Sequence, residues 1–146
     1  MSKTEKLIKI LTEKNKTIAT MESCTGGGVV NNITNIPGAS KVLKYSAVTY
    51  SDEYKIKMGV SKDAIEQYGV YSIETAENMS KAISNFANSD YGVGITGLID
   101  TKAYISIYIR EKEEHLSFSI DLHHDKRIKN KEEIIDLIIT NILDII

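Results

Sequence analysis

The segment that most constrains the fold of this chain spans residues 21–28, where an apolar strand pattern ends in a serine and a glycine-rich turn. Residues 17–21 form an apolar run that predicts a buried strand. After the glycines, Val29, Val30 and Ile33 recur at the spacing of a helix. A strand that leads through a tight turn into a helix is the basic unit of α/β proteins, so the sequence predicts that class.

The rest of the chain alternates between helix and strand patterns. Further helices are predicted over residues 3–14, 51–59, 61–68 and 72–86, the last with Thr75, Met79, Ala82, Ile83 and Phe86 on one face. Strands are predicted over residues 43–50, 91–97, 103–110 and 115–122. The last two strands form a hairpin about the charged turn 111–114, and the glycines of residues 91–97 indicate a strand that another backbone approaches closely.

The C-terminal segment predicts a final helix with Asn130 as its cap. An isoleucine stripe marks its buried face, namely Ile134, Ile135, Ile138, Ile139 and Ile142. Because helices and strands interleave before a hairpin closes the sheet, we predict a single domain over residues 1–146. Its expected architecture is an α/β/α sandwich, one mixed sheet with helices on both faces.

Composition narrows the class of protein. Hydrophobic residues make up 42% and charged residues 26% of the 146 residues, as in a soluble globular protein. A net charge of −2 gives no indication of nucleic-acid or anionic-membrane binding. No apolar run approaches the roughly 18 residues of a membrane-spanning helix. The single cysteine and the polar N-terminal residues predict a cytoplasmic protein without a signal peptide or internal disulfide.

Ser23 is the candidate nucleophile of the first turn. A hydroxyl that follows a strand and precedes a glycine-rich turn lies beside unpaired backbone N–H groups, and a helix N-terminus adds partial positive charge there. An acyl or phosphoryl group would find an attacking oxygen and an oxyanion site together. The alternative is an ordinary strand-to-helix turn with Ser or Thr as the helix cap and glycine for tight geometry.

A second strand-to-helix turn covers residues 49–55 and ends in Lys55. In an α/β sheet two such turns can face each other at the carboxyl edge, where these folds place their ligands. A lysine held beside Ser23 could act as its general base if burial lowered its pKa toward neutrality. The alternative is an exposed helix lysine.

Together these segments resemble the C-terminal domain of the CinA family of competence-damage-inducible proteins, the nicotinamide-nucleotide amidases. The family pattern runs Ala-Glu-Ser-Cys-Thr-Gly-Gly, then Pro-Gly-Ala-Ser, then Val-Thr-Tyr-Ser-Asn-Glu-x-Lys. Gly-Val, Gly-x-Val-Ser and Gly-Ile-Thr-Gly follow. The corresponding segments here, in the same order, are residues 21–27, 37–40, 48–55, 59–60, 69–72 and 94–97.

The resemblance implies hydrolysis of nicotinamide mononucleotide to nicotinic acid mononucleotide and ammonia, without a metal or another cofactor. It makes Ser23 the nucleophile, Lys55 its base and Tyr50 an orienting residue. The backbone amides of residues 24–27 would hold an oxyanion or the substrate. The remaining substrate-binding candidates from these motifs are Glu22, Cys24, Thr25, Gly26, Gly27, Thr49, Thr96 and Gly97. The expected partner is thus a small pyridine mononucleotide, and a homodimer is the default assembly.

The chain departs from the family pattern in two places. After Gly97 it continues directly through residues 98–103, where the family has a Gly-Pro-Gly-Gly loop. Before the last helix the family arginines are not clearly kept, and a basic cluster of Lys126, Arg127, Lys129 and Lys131 stands there. This cluster is either a substrate-phosphate site, with Lys126 and Arg127 as its candidates, or a solvated face. Two alternative functions therefore stay open: a binding protein without activity, and an amidase of a smaller amide.

Two further features, Cys24 and the segment 123–125, could have a chemical role, but a structural role explains each of them better. Cys24 lies near a helix N-terminus, which favours a reactive thiolate, but no histidine is near it in sequence and a small buried cysteine is the preferred interpretation. His123, His124 and Asp125 are adjacent on one segment, and such neighbours rarely bind the same ion. We therefore expect a solvated loop there and no metal.

Overall fold

The computed structural model describes all residues, 1–146, and contains six α-helices around one five-stranded sheet. The strands are β1 (Ile18–Glu22), β2 (Leu43–Val48), β3 (Tyr91–Leu98), β4 (Lys102–Ile109) and β5 (Glu114–Asp121). The helices are α1 (Lys3–Glu13), α2 (Gly28–Thr34), α3 (Asp52–Lys57), α4 (Lys62–Tyr68), α5 (Ile73–Ala87) and α6 (Arg127–Ile145). None of the six helices combines the length and the hydrophobicity that a membrane-spanning segment requires.

The sheet is mixed, with strand order β2-β1-β3-β4-β5. Strands β2, β1 and β3 are parallel, and β3, β4 and β5 form an antiparallel meander. Apolar side chains of α1, α2 and α6 pack on one face of the sheet, and α5 packs on the other. The predicted α/β/α sandwich with a single mixed sheet is confirmed. Strands β1 and β3 each have a neighbouring strand on both sides, and nearly all of their residues are buried because helices cover both faces of the sheet.

The glycines of β3 allow α5 to lie directly on the sheet. A β-carbon on Gly92 would collide with the carbonyl oxygen of Ser80, and one on Gly94 with that of Ala76. These obstacles are backbone atoms of α5, which cannot move without moving the helix. The close backbone approach predicted for this strand is therefore present, and only glycine permits it at these positions.

Most element boundaries differ by one or two residues from the sequence prediction, and the start of α6 differs by more. Helix α6 begins at Arg127 rather than after Asn130, because the buried Asn130 side chain donates to the carbonyl oxygens of Ile99 at 2.9 Å and His124 at 3.2 Å instead of capping a helix. Strand β1 extends to Glu22, and β2 ends at Val48 rather than at residue 50. Phe86, predicted on the buried face of α5, is 63% exposed and stacks against Tyr45 at the sheet edge.

Candidate active site

The carboxyl ends of β1, β2 and β3 bring the two turn motifs together. The N–H of Ser23 donates to the carbonyl oxygen of Ile95 at 3.0 Å, and the N–H of Thr49 donates to that of Glu22 at 2.8 Å. These bonds continue the sheet ladder one residue beyond the strand ends. The first residue after β1 and the first after β2 are therefore held at one edge of the sheet, as the two strand-to-helix turns predict.

Lys55 and Ser23 are in contact. Lys55 Nζ lies 3.0 Å from Ser23 Oγ and donates to the carbonyl oxygen of Thr49 at 2.7 Å. Ser51 caps α3 by accepting from the N–H of Tyr54, and this cap fixes the helix that carries Lys55. The Lys55 side chain is 1% exposed, so the alternative of an exposed helix lysine is wrong.

Burial lowers the pKa of Lys55 from its ordinary value of 10.5, because the charged ammonium loses its hydration. The negative charge of Asp52 acts in the opposite direction. No carboxylate lies within 4.0 Å of the ammonium. As a neutral amine, Nζ can donate one N–H to Thr49 and accept the hydroxyl proton of Ser23, which is the hydrogen bonding required of a general base.

The glycine-rich turn leaves several backbone donors free. The N–H groups of Cys24, Thr25 and Gly27 make no hydrogen bond to another residue, whereas those of Gly26 and Gly28 are used within the turn. Gly26 and Gly27 have φ of 62° and 95°, values that side chains rarely allow. The residue after a nucleophile commonly supplies an oxyanion donor, and here that residue is Cys24, whose N–H is free.

Glu22 caps α2 from the end of β1. Its carboxylate accepts from the N–H groups of Val29 and Val30, both at 2.9 Å, and from the hydroxyl of Thr25 at 2.7 Å. Glu22 is 0% exposed and faces the helix rather than the Ser23 hydroxyl. The expectation that the N-terminus of α2 offers free positive charge beside the nucleophile is therefore wrong, as is a Ser or Thr cap, because a carboxylate already occupies that end.

Replacing Glu22 by alanine is expected to lower the free energy of unfolding by about 3 kcal/mol, since two buried backbone donors lose a charged acceptor. Glutamine at the same position keeps one carbonyl oxygen and should cost about half as much. Urea titrations followed by circular dichroism measure both. Equal stability of the alanine variant and the parent would contradict the capping role.

The dyad of Ser23 and Lys55 opens into a cavity of about 120 Å³. Of the predicted site residues, Cys24, Tyr50, Gly97 and Arg127 line this cavity with the dyad. Tyr50 is 64% exposed at its mouth and makes no hydrogen bond to Ser23 or Lys55. The remaining lining residues are Asp52, Val70, Tyr71, Leu98, Ile99 and Asp100.

The other predicted site residues lie outside the cavity. Thr25, Gly26 and Gly27 line a separate groove between α2 and α6. Thr96 is buried, its hydroxyl donates to the carbonyl oxygen of Val70 at 3.0 Å, and it is not among the residues that line the cavity, so the expectation that Thr96 lines the pocket is wrong. Lys126 is exposed and lines neither space.

Thr49 has an unusual environment for a site residue. It is 2% exposed, and its hydroxyl is the one buried side-chain polar atom in the structure without a hydrogen-bond partner. Its backbone carbonyl holds Lys55 Nζ. Thr49 therefore contributes to the site through its main chain.

Sequence reasoning missed four lining residues. Asp52, Val70 and Tyr71 stand inside motifs that the sequence had already singled out, so their place in those motifs was an available signal. Asp100 reaches the cavity only through the turn of the β3–β4 hairpin. Lys131 extends from α6 to the glycine-rich turn, where its Nζ lies 3.5 Å from the position that a β-carbon on Gly26 would occupy. The sequence did not predict this contact.

Cys24 is a buried cysteine, and the segment with His123 and His124 is an exposed loop, as the structural interpretations of both predict. Cys24 is 4% exposed, and burial raises the pKa of its thiol to about 11, so it remains protonated near neutral pH. His124 lies in the loop before α6 and pairs with Glu133 at 3.0 Å. The structure holds no cluster of three or more His, Cys, Asp or Glu side chains that could bind a metal ion.

The fold is shared with solved structures of two bacterial proteins. It matches the competence/damage inducible protein CihA from Agrobacterium tumefaciens with a TM-score of 0.90 at 21% identity, over 99% of this chain and 96% of that one. It matches the CinA superfamily protein from Escherichia coli with a TM-score of 0.92 at 20% identity, over 99% of this chain and 88% of that one. At this level of identity the likeness establishes a shared fold.

Sequence comparison adds the family. The family model described as the CinA C-terminal domain matches residues 1–132, so the chain belongs to that family. Two relatives that carry the name "Putative competence-damage inducible protein", from Caldanaerobacter subterraneus subsp. tengcongensis and Clostridium perfringens, are both 45% identical to it, over 95 and 91 residues. These segments make up 64% and 62% of this chain but only 23% and 22% of the relatives. The chain thus spans under a quarter of the length of these relatives.

Proposed function

We propose that the chain is an amidohydrolase that converts nicotinamide mononucleotide to nicotinic acid mononucleotide and ammonia, a reaction of pyridine nucleotide salvage. The observation that carries this proposal is the 3.0 Å contact between the buried Lys55 amine and the Ser23 hydroxyl. A lysine without a carboxylate partner and with a lowered pKa is suited to take a proton from that hydroxyl. The substrate comes from the resemblance of the motifs, and a homodimer remains the expected assembly.

The proposed reaction has two halves. Ser23 Oγ attacks the carboxamide carbon while Lys55 Nζ takes the hydroxyl proton, and the free N–H of Cys24 stabilises the oxyanion. The Lys55 ammonium then gives its proton to the departing amine, so ammonia leaves and a Ser23 ester remains. Water, deprotonated by the same amine, hydrolyses the ester and restores the serine. The Thr49 carbonyl keeps Nζ in place throughout.

Ammonia release from nicotinamide mononucleotide in metal-free buffer tests the proposal. The parent protein is expected to turn the substrate over, and the Ser23→Ala variant should lose at least about a thousand-fold in kcat, since the covalent route is removed. Ser119→Ala is the matched control, because this serine is exposed on β5 far from the dyad and makes no side-chain hydrogen bond. Unchanged activity in Ser23→Ala would exclude Ser23 as the nucleophile.

The proposed mechanism predicts that activity increases with pH. Because only the neutral amine of Lys55 can accept a proton, kcat/KM should rise with pH and level off above the lowered pKa of Lys55, with its inflection below 10.5. Between that pKa and 10.5 Lys55 holds its proton in the unfolded chain but not in the folded protein, so the contribution of Lys55 to stability rises with pH there. Above pH 9.0 the Cys24 thiol, whose pKa burial raises to about 11, contributes in the opposite direction. Initial rates and urea midpoints across this range measure both. A rate that falls as pH rises toward 10 would contradict Lys55 as the base.

The size of the cavity favours a second candidate, an amidase of a smaller amide. Its volume of about 120 Å³ is below the roughly 300–1,000 Å³ of most ligand pockets. Leu98 and Ile99 line it where the family pattern has a glycine-rich loop. Parallel assays with nicotinamide separate the two candidates: activity on nicotinamide with none on the mononucleotide supports the smaller substrate. Absence of turnover on both would leave a binding role.

A further inference from the structure

The connection between α4 and α5 forms one wall of the cavity beside the dyad. Val70 and Tyr71, here called the wall segment, both line this cavity. Neither residue belongs to the apolar clusters of the core, and Tyr71 is 48% exposed. Their N–H groups donate to no other residue, and the carbonyl of Tyr71 accepts from none. One hydrogen bond therefore holds the main chain of the wall segment, from Thr96 Oγ1 to the carbonyl oxygen of Val70 at 3.0 Å.

Gly69, the residue before the wall segment, is held by two donors instead of one. Its carbonyl oxygen accepts from Ser72 Oγ at 2.8 Å and from Thr75 Oγ1 at 2.7 Å. Both hydroxyls are buried at the start of α5. Loss of either donor leaves the other in place, whereas the Val70 carbonyl depends on Thr96 alone.

Thr96 lies at the part of β3 that also fixes the nucleophile. The carbonyl oxygen of Ile95, the preceding residue, accepts from the N–H of Ser23 at 3.0 Å. Thr96 itself is 0% exposed and pairs with Tyr104 of β4, so its position is set by the sheet. Two adjacent residues of β3 thus determine where the nucleophile and the wall segment lie relative to each other.

We infer that Thr96 is a positioning residue, whose hydroxyl fixes the wall segment relative to Ser23 and so determines how tightly the cavity holds an amide substrate. The inference rests on the proposed function for the substrate, but the fixing of the wall segment is a property of the free protein. Without the hydroxyl the segment occupies several positions, and the apparent affinity falls with the fraction that remains competent to bind. The Thr96 hydroxyl makes no hydrogen bond to Ser23 or Lys55, so the chemical step should be preserved.

Backbone order parameters from NMR relaxation measure the wall segment in the absence of substrate. In the parent protein the N–H groups of Val70 and Tyr71 should give the value of about 0.85 that is typical of a rigid backbone. Thr96→Val keeps the shape of the side chain but removes the donor, so both values should fall below about 0.6. Thr96→Ser keeps the hydroxyl and should restore the parental values.

Thr75→Val is the matched control for the loss of a buried threonine hydroxyl. It removes a donor from the same connection, but Ser72 still holds the carbonyl of Gly69. The order parameters of the wall segment should therefore stay parental. Thr96→Cys, whose thiol is a weak donor, should give intermediate values and takes the place of Thr96→Val if the valine variant does not fold.

Initial rates of ammonia release from nicotinamide mononucleotide and nicotinamide measure the effect on the substrate. Thr96→Val should raise KM about ten-fold for whichever amide is hydrolysed, because one buried hydrogen bond no longer holds the binding-competent position. Its kcat should stay within about two-fold of the parental value. Thr96→Ser and Thr75→Val should match the parent in both constants. A general loss of stability would affect both valine variants and would not produce this split between KM and kcat.

A wall segment that stays rigid in Thr96→Val, or becomes equally mobile in Thr75→Val, would overturn the inference. An unchanged KM in a Thr96→Val protein with a mobile wall segment would also overturn it. If the parent hydrolyses neither amide, the amidase proposal fails and equilibrium binding of the same two amides decides the inference. Binding about ten-fold weaker in Thr96→Val would then support it, whereas equal binding, or no binding by the parent, would overturn it.

Discussion

Replacement of Lys55 by methionine is expected to lower kcat/KM for ammonia release by about a thousand-fold, which is the contribution of a well-placed general base. Methionine has a similar length and is apolar, so it fills the buried space without offering a lone pair at the position of Nζ. Lys57→Met is the matched control, because Lys57 lies on the same helix with its side chain 57% exposed. The control should retain full activity in the same initial-rate assay.

An arginine variant tests whether Lys55 acts as a base or only as a positive charge. Lys55→Arg keeps a positive charge near Ser23, but a guanidinium remains protonated and cannot accept the hydroxyl proton. We expect it to be as inactive as the methionine variant. Circular dichroism and a urea titration verify that both are folded, since each leaves the Thr49 carbonyl without its present donor at a cost of about 1–3 kcal/mol. A folded methionine variant with near-parental activity would exclude the dyad mechanism.

Replacement of Gly94 by alanine is expected to lower the free energy of unfolding by about 3 kcal/mol, because an added β-carbon meets backbone atoms of α5. Besides the Ala76 carbonyl oxygen, it would lie 2.6 Å from the N atom of Ser80. Relief requires the whole helix to move away from β3. For a chain of this size the melting temperature should fall by about 10 °C.

Gly28→Ala provides the contrast. The added β-carbon there would lie 2.8 Å from Cδ1 of Ile135, which is the far end of a flexible side chain. Rotation of that side chain relieves the contact, and alanine favours a helix over glycine, so we expect a change within about 1 kcal/mol. Differential scanning calorimetry compares the two variants. A Gly94→Ala protein as stable as Gly28→Ala would contradict the close approach of α5 to β3.

The local patterns of the sequence were sufficient for the order of elements and for the dyad candidates. Apolar periodicity and turn residues are short-range properties, so the strand before Ser23 and the helix that carries Lys55 could be predicted from a few neighbours each. The parallel pairing of β1 with β2 and β3 then places their ends at one edge. Patterns of this kind failed at Asn130, whose side chain bonds across to Ile99 from another part of the chain.

The sequence by itself therefore determined the fold class, the family and the pairing of a serine turn with a lysine turn. Only the tertiary structure decided that Lys55 is buried in contact with Ser23, that Glu22 closes the end of α2, and that Asp52 and Asp100 face one cavity. The physical reason is that residue type and spacing set local conformation, whereas burial, protonation and the sign of the local charge depend on segments that are distant in sequence and meet only on folding.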